Sequence, residues 1–551
     1  MTFKKISIFA YITYTCLSFF TTQAIPQPSP PKGNIEKPIT VIIPSYNNKD
    51  WYQQNLGSVY HQNYENYQVI YINDASPDDT GKLVQQYIKD SGQEHRTTLI
   101  NNPKNTGALA NIYKAVHTCD NCDIIVTLDG DDWLKKPDVL QTINNTYKEP
   151  NVWMTYGQYE ELHYNKKDKK YSTKPGHCRQ IEPNIVRARG YREDKWVASH
   201  LRTFYAGLFK QIKLKDFLEN SNFFKVTWDL AFMIPMLEMC KGKYKFIEDT
   251  LYVYNCITPL NDFKTKLQQQ LHLEYVIRAK EKYQQTKTPF KTPAQKKASV
   301  AIIAEHSPAQ LYALLESISF YMTGIESIYV IVPDNSEKKD NYTKTCKEFE
   351  NITLVLSNNI KSSLENILEQ HKDSYVALST DNIIVKQFVD LDTCVSAIEQ
   401  TKAYGFYLSL GKNIEENCIL KRKQYIAPHT EIKTGIYAWQ FKDGECDWRT
   451  PNNLAMTLYK SSNILSILEN IEYNSCVNLQ HNFNRQKFDL EHVGLFFKDS
   501  KVVTIEPEKV DHLLNLFENG MKINIAPIFL TKNSKTLLQL PLTFDKIDKR
   551  N

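Results

Sequence analysis

From residue 39 the chain alternates two kinds of apolar pattern. Short, largely apolar runs at 39–43, 68–72, 97–100 and 123–128 are separated by stretches at 49–62, 78–91 and 106–117 whose apolar positions recur at helical spacing. The runs predict strands buried on both faces, and their alternation with helices predicts a doubly wound, mostly parallel α/β sheet. In such sheets ligands bind beyond the carboxyl ends of the strands. Tyr46, Asp74 and the acidic group 129–132 each follow a strand end, so they should converge in one crevice.

A helix at about 263–284 closes this region, 38–284, and Thr286-Lys-Thr-Pro289-Phe-Lys-Thr-Pro293 reads as part of a linker, 285–297. The pattern then starts again. Val41-Ile-Ile-Pro44-Ser-Tyr46-Asn47 matches Ala301-Ile-Ile-Ala304-Glu-His306-Ser307, and Asp74-Ala-Ser76 matches Asp334-Asn-Ser336 at the same spacing. After one ten-residue deletion, Val126-Thr-Leu-Asp129-Gly-Asp131-Asp132 falls on Val376-Ala-Leu-Ser379-Thr-Asp381-Asn382, and Leu208-Phe-Lys210 falls on Leu458-Tyr-Lys460. A single gap that aligns these segments predicts an internal duplication, with 298–551 as a second α/β domain.

Length agrees, since 551 residues are too many for one core. A composition of 42% apolar and 23% charged residues is that of a globular chain. The net charge of +5 is small and spread along the sequence, which argues against a nucleic-acid protein. The first 24 residues stand apart: Lys4 and Lys5 precede an uncharged, largely apolar run from Ile6 to Phe20, and Thr22-Gln23-Ala24 has the small-residue pattern of a signal-peptidase site. They read as a secretory signal, followed by a Pro-rich tether over 25–37. The apolar run of about 15 residues is shorter than the roughly 20 that span a bilayer, so export is expected, with an uncleaved N-terminal membrane anchor as the alternative. Eleven cysteines include Cys16 inside the signal and one close pair, Cys119 and Cys122, expected to be a local disulfide or two thiols rather than a zinc site.

Three carboxylates at the end of a buried strand ask for a cation or for water, because a lone buried acid is costly. Alternate residues near a strand end face one side, so Asp129 and Asp131 can aim at one point while Gly130 leaves room for a ligand. Hard oxygen ligands suit Mg²⁺ or Mn²⁺ and leave positions that a diphosphate can fill, a Lewis-acid site for a phosphate leaving group. Taken alone, the motif has a second reading, in which Asp131 or Asp132 caps a helix begun by Trp133-Leu134.

Four ordered motifs decide between them: Ile39-Thr-Val-Ile-Ile-Pro44-Ser-Tyr46-Asn47, Val69-Ile-Tyr-Ile-Asn-Asp74-Ala-Ser76-Pro-Asp78, Asn105-Thr-Gly107-Ala-Leu-Ala-Asn111 and Leu128-Asp129-Gly-Asp131-Asp132. Over about residues 38 to 260 the chain resembles family 2 glycosyltransferases of the GT-A fold. The resemblance implies a nucleotide site at Pro44, Tyr46, Asp74, Asn105, Gly107 and Asp129, in which Pro44 shapes the turn, Tyr46 stacks on the base and Asp74 accepts its ring N–H. Asp129 and Asp131 would be the D-x-D metal motif for Mn²⁺ or Mg²⁺, with Asp131 the direct ligand; Asp132 would contact sugar hydroxyls or cap a helix. The donor implied is a nucleotide sugar, most commonly a UDP-sugar, and the acceptor a carbohydrate or other hydroxyl.

Inverting members of the family use a base well after the D-x-D, at a helix start. Val226-Thr-Trp228-Asp229 fits, with Thr227 as N-cap and the helix dipole keeping Asp229 ionised, although family members often carry Glu-Asp where this chain has Trp228-Asp229. Trp196, His200, Arg202 and Trp228 fall where the family binds its acceptor; Arg202 is expected to neutralise diphosphate and Trp196 to stack on a sugar face, with a packing role for either as the alternative.

The second unit keeps Asp334 and Asp381, but His306 replaces Tyr46, Ser379 replaces Asp129, Asn382 replaces Asp132, and Asp229 falls opposite Leu479, so a degenerate, non-catalytic GT-A-like domain is expected. Two other functions compete. A sugar nucleotidyltransferase would show a Gly-rich phosphate loop after the first strand, which Pro44-Ser-Tyr-Asn47 lacks. An exported, non-catalytic carbohydrate-binding or effector protein on a transferase scaffold is the alternative reading, because nucleotide sugars are not found outside cells; the presence of Asp129, Asp131 and Asp229 together favours an enzyme.

Overall fold

Each apolar run becomes a strand of one sheet: β1 (Ile39–Ser45), β2 (Tyr67–Asn73), β3 (Thr97–Asn101) and β4 (Ile124–Thr127). This is a computed structural model that describes residues 36–259, 261–290, 296–418, 420–506, 510–539 and 541–547. The signal reading for 1–24, with Cys16, and nearly all of the tether lie outside these residues. Val41, Ile42, Ile43, Ile124, Ile125 and Val126 have no solvent exposure, as strands covered on both faces require. Burying each such side chain contributes about 1.5–3 kcal/mol.

Helices α1 (Tyr52–Tyr60), α2 (Thr80–Asp90) and α3 (Ala108–Thr118) connect these strands. α3 starts two residues later than its pattern predicts because Gly107, with φ of +90°, turns the chain just before it. Four strands then extend the sheet: β5 (Trp133–Leu134), β6 (Met154–Asn165), β7 (Lys170–Pro175) and β8 (Arg202–Tyr205), with α4 (Val139–Thr146), α5 (Pro183–Ala188), α6 (Ala206–Phe209) and α7 (Trp228–Met239) alongside. The small hairpin β9 (Leu218–Glu219) and β10 (Asn222–Phe223) precedes α7, and β11 (Tyr244–Asn255) completes the sheet in the order β3-β2-β1-β4-β8-β6-β11-β5, with β7 on β6. β1 to β4 are parallel, β8 is antiparallel to both β4 and β6, and β11 runs parallel to β6.

The closing helix is two helices, α8 (Asp262–Thr265) and α9 (Leu267–Ala279), and α9 ends five residues early because Lys280 is extended. The expected linker also differs. Its beginning is strapped to the first sheet by Thr286 N–H to the Met239 carbonyl at 3.0 Å, Thr286 Oγ1 to Gln211 Oε1 at 2.8 Å, and the Phe290 ring 4.7 Å from that of Tyr205.

The second half builds its own sheet in the order 352–356, 325–332, 298–303, 375–380, 455–460, 405–407 and 493–497, then 436–440 and 430–433. Its first seven strands repeat the order and directions of β3-β2-β1-β4-β8-β6-β11. Register corrects part of the expected alignment. Val41 lies opposite Val69 as Ala301 lies opposite Tyr329, but Val41 also lies opposite Val126 whereas Ala301 lies opposite Leu378, two residues beyond Val376. On the sheet, therefore, Asp129 corresponds to Asp381 rather than to Ser379. Leu208 lies in α6 after its strand, whereas Leu458 lies within one, and the helix starts place Asp229 level with Val477 rather than Leu479.

Lys37–Asn551 is one compact unit, so the two sheets are not loosely tethered. The β9–β10 turn reaches across: buried Ser221 accepts from Gln440 N–H at 2.8 Å and donates through Oγ to Asp443 at 2.7 Å.

Candidate active site

The ends of β1, β2 and β4 open into a cleft of about 970 Å³ lined by Pro44, Tyr46, Asp74, Asn105, Gly107, Asp129, Asp131, Trp196, His200, Arg202, Trp228 and Asp229, all twelve residues singled out from the sequence. Backbone geometry at the strand ends is specialised. Asn47 and Ala75 take left-handed φ of 59° and 57°, turning the chain sharply just past β1 and β2. Tyr46 stands 41% exposed at the mouth, so its ring face is available for stacking.

Asp74 does a different job from the one expected. Its carboxylate accepts from Asn102 Nδ2 at 2.8 Å, Thr106 N–H at 2.9 Å, Thr106 Oγ1 at 3.2 Å and Gly107 N–H at 2.7 Å. Burial pushes its pKa up, but these donors together hold it below the ordinary value. Its lone pairs are engaged, so it acts by pinning the 102–107 loop to β2 rather than by accepting a base N–H.

The acidic motif divides by role. Asp132, fully buried, accepts from Tyr252 Oη at 2.6 Å and Asn255 N–H at 2.7 Å. It neither caps a helix nor meets the cleft, because residues 133–134 form β5. Asp129 accepts from Arg202 Nη2 at 3.4 Å. Asp131 faces the cleft with no side-chain donor among the described residues, and burial, with the Asp129 charge beside it, pushes its pKa up to about 7. Gly130 is required by packing rather than by a ligand: a Cβ there would lie 2.6 Å from Asn48 Nδ2 and 2.7 Å from Ser45. Gly130→Ala is expected to cost about 1–3 kcal/mol and to disturb the motif, read as a lowered denaturation midpoint in urea.

Asp229 sits at the start of α7. Thr227 occupies the N-cap position with φ of 55°, but its hydroxyl does not cap: it donates to the Gln270 carbonyl at 3.3 Å. A β-branched residue in this region is strained, and the contact with α9 holds it there. Burial raises the Asp229 pKa, and Arg202, Trp196 and the helix amides only partly offset this, so the dipole does not leave the group an ordinary carboxylate.

The expected acceptor residues turn out to cage this acid. Trp196 Nε1 donates to Asp229 Oδ2 at 3.1 Å. Arg202, 2% exposed, reaches Asp129 with one terminal nitrogen and Asp229 with the other at 3.7 Å, donates Nε to Thr127 Oγ1 at 3.1 Å, and lies 4.8 Å over the Trp228 ring. Its charge is thus committed to carboxylates and is not free for diphosphate. His200 stacks on Tyr252 at 4.6 Å and Tyr254 at 5.3 Å, and burial keeps it neutral. The cleft wall also includes Lys225, Asn261, Asp262, Lys266 and Gln270, which no sequence motif contains. Lys225, an exposed cation at the mouth, donates to the Thr106 carbonyl at 3.2 Å beside Gly107.

The donor set fits a divalent cation: two half-buried carboxylates face one space, and Arg202 answers only part of their charge. Cys119 and Cys122 are free thiols.

An α/β sheet with an acid-lined cleft at its strand ends and an antiparallel strand beside β4 has a GT-A-type arrangement. Residues 40–214 match the family model described as Glycosyl transferase family 2. The bifunctional glycosyltransferase pgtA of Dictyostelium discoideum is 26% identical over 147 residues, 25% of this chain, so the chain spans only 19% of that relative's length. Glycosyltransferase GlyG of Streptococcus pneumoniae is 23% identical over 219 residues, 39% of this chain and 70% of that protein. Among solved structures, the mannosyltransferase PcManGT from Pyrobaculum calidifontis, in complex with GDP-Man and Mn²⁺, is 18% identical, with a TM-score of 0.30 over 45% of this chain and 66% of that one.

Proposed function

We propose that the protein is an inverting, metal-dependent glycosyltransferase that moves a sugar from a nucleoside-diphosphate sugar, with UDP-sugars the first candidates, to a carbohydrate or other hydroxyl acceptor. The convergence of Asp129, Asp131 and Asp229 in one cleft, with Arg202 between them, carries this reading. Tyr46 stacks on the base, and the 102–107 loop, pinned by Asp74, shapes the nucleotide pocket. Lys225 meets the diphosphate at the mouth. Asp131, with Asp129, would hold Mn²⁺ or Mg²⁺, which supplies neutralisation of the departing diphosphate. Asp229 takes the acceptor hydroxyl proton as the oxygen bonds to the anomeric carbon; the bond from that carbon to the diphosphate breaks, and its electron pair leaves with the nucleoside diphosphate. Trp196 and Arg202 fix the Asp229 carboxylate in place.

The test is release of nucleoside diphosphate from a panel of UDP-, GDP- and dTDP-sugars with Mn²⁺. Release should require metal and fall by about 100-fold or more in Asp131→Asn. If the protein neither turns over nor binds any of these donors, the transferase reading fails and the non-catalytic scaffold replaces it.

The same proposal makes residues 298–551 a degenerate GT-A-like copy. Its repeated strand order supports this, as does a smaller cleft of about 470 Å³ at the matching strand ends, lined by His306, Asn382, Gln480 and Asn484 among others. Beneath it Asp381 is fully buried and held by His306, Ser307 N–H and the Tyr342 hydroxyl, leaving no acid free for chemistry there among the described lining residues. Export through residues 1–24, or anchoring by them if uncleaved, is also proposed, and N-terminal sequencing of the expressed protein separates the two. No helix among the described residues is long and apolar enough to cross a membrane.

A further inference from the structure

Outside the cleft, Glu161, His163 and Cys256 bring a carboxylate oxygen, an imidazole nitrogen and a thiol sulfur within 4.8 Å of one another. The strands explain the convergence. Glu161 and His163 are alternate residues of β6 and face one side of the sheet. β11 runs parallel beside β6 with Asn255 opposite Leu162, and Cys256 N–H donates to the Leu162 carbonyl at 3.0 Å. Cys256, the first residue past β11, therefore meets both β6 side chains. His163 Nε2 already lies 2.9 Å from Glu161 Oε2, but an ion pair alone gives no reason for a buried sulfur to join it. Carboxylate, imidazole and thiolate together form a donor set suited to zinc, and three protein ligands leave a fourth position for water.

We propose that Glu161, His163 and Cys256 form a second metal site, for Zn²⁺ or a similarly thiophilic divalent cation, chemically distinct from the all-oxygen pair Asp129 and Asp131. Binding turns the thiol into a thiolate and releases its proton to solvent. The position gives the site a structural role. Cys256 begins the stretch that carries Asn261 and Asp262 to the cleft wall, and that stretch is already tied back by Lys264 Nζ to the Cys256 carbonyl at 2.6 Å and Asn261 Nδ2 to the Asn255 carbonyl at 3.0 Å. A cation on Cys256 pins the root of that wall to β6. The site does not depend on the glycosyltransferase reading.

Titration of the full-length protein with Co²⁺ tests it, because a thiolate ligand produces a near-ultraviolet charge-transfer band that an all-oxygen site does not. A saturable band, displaced by Zn²⁺, should appear in the wild type and persist in Asp131→Asn. It should be lost in Cys256→Ser and in His163→Ala, with unchanged far-ultraviolet circular dichroism showing that both remain folded. Absence of the band from the wild type, or its survival in Cys256→Ser, overturns the proposal.

Discussion

Asp229→Asn is expected to lower the transfer rate by about 10²–10⁴-fold while leaving the donor KM nearly unchanged, since a general base acts on the acceptor proton and not on the nucleotide. Asn is a good choice because it keeps the size and hydrogen-bonding reach of Asp and still serves at a helix start. A residue that only stabilised α7 would tolerate it, so retained turnover would remove Asp229 from the chemistry. The pH profile offers a second readout. Burial raises the Asp229 pKa above the ordinary carboxylate value, against the pull of Arg202 and Trp196. The base form is therefore lost at a higher pH than a solvated aspartate would show as the solution is acidified. The wild type should show that acid limb, and the variant's residual rate should lack it.

Arg202→Met should act on stability as well as rate. The guanidinium answers Asp129 and Asp229 at once and is itself almost wholly inaccessible. Its removal leaves two half-buried carboxylates facing one another, at an expected cost of about 2–3 kcal/mol, below the range for a fully enclosed pair because both acids still reach cleft water. Unfolding in urea at neutral pH measures this. The sign of its pH dependence follows from Asp229. A carboxylate whose folded pKa lies above its unfolded value costs stability once ionised, in full above the folded pKa and not at all below the unfolded one. Without Arg202 that penalty grows, so the gap between variant and wild type should narrow as pH falls toward the unfolded pKa. An equal gap at all pH values would show that Arg202 acts through packing on Trp228 rather than through charge.

β1 and β4 were legible because complete burial leaves an uninterrupted apolar run, whereas β2 and β3, partly exposed, were legible from their alternation with helices, and the cleft because acids and aromatics stand immediately after those runs. Roles were less legible. Asp74 reads as a nucleotide contact, yet Asn102, Thr106 and Gly107 take its lone pairs. Trp196 and Arg202 read as acceptor contacts, yet both turn toward Asp229. A motif states which side chain is present, but not which of several neighbours wins its hydrogen bonds.

Register shows the same division. Matching Val126 to Val376 satisfies the letters, but backbone hydrogen bonding in the second sheet sets the pairing two residues along. Asn261 and Asp262 wall the cleft without belonging to any pattern, and Lys266 and Gln270, inside the predicted closing helix, reach the wall only through the packing of α8 and α9. The sequence by itself determined the alternating α/β plan of the first sheet and twelve of the residues that line its cleft, since local periodicity and position after a strand end need no distant partner. Only the tertiary structure decided that Arg202 bridges Asp129 and Asp229, that Asp132 is structural, and that Cys256 stands beside Glu161 and His163, because each depends on segments far apart in the chain that only the sheet brings together.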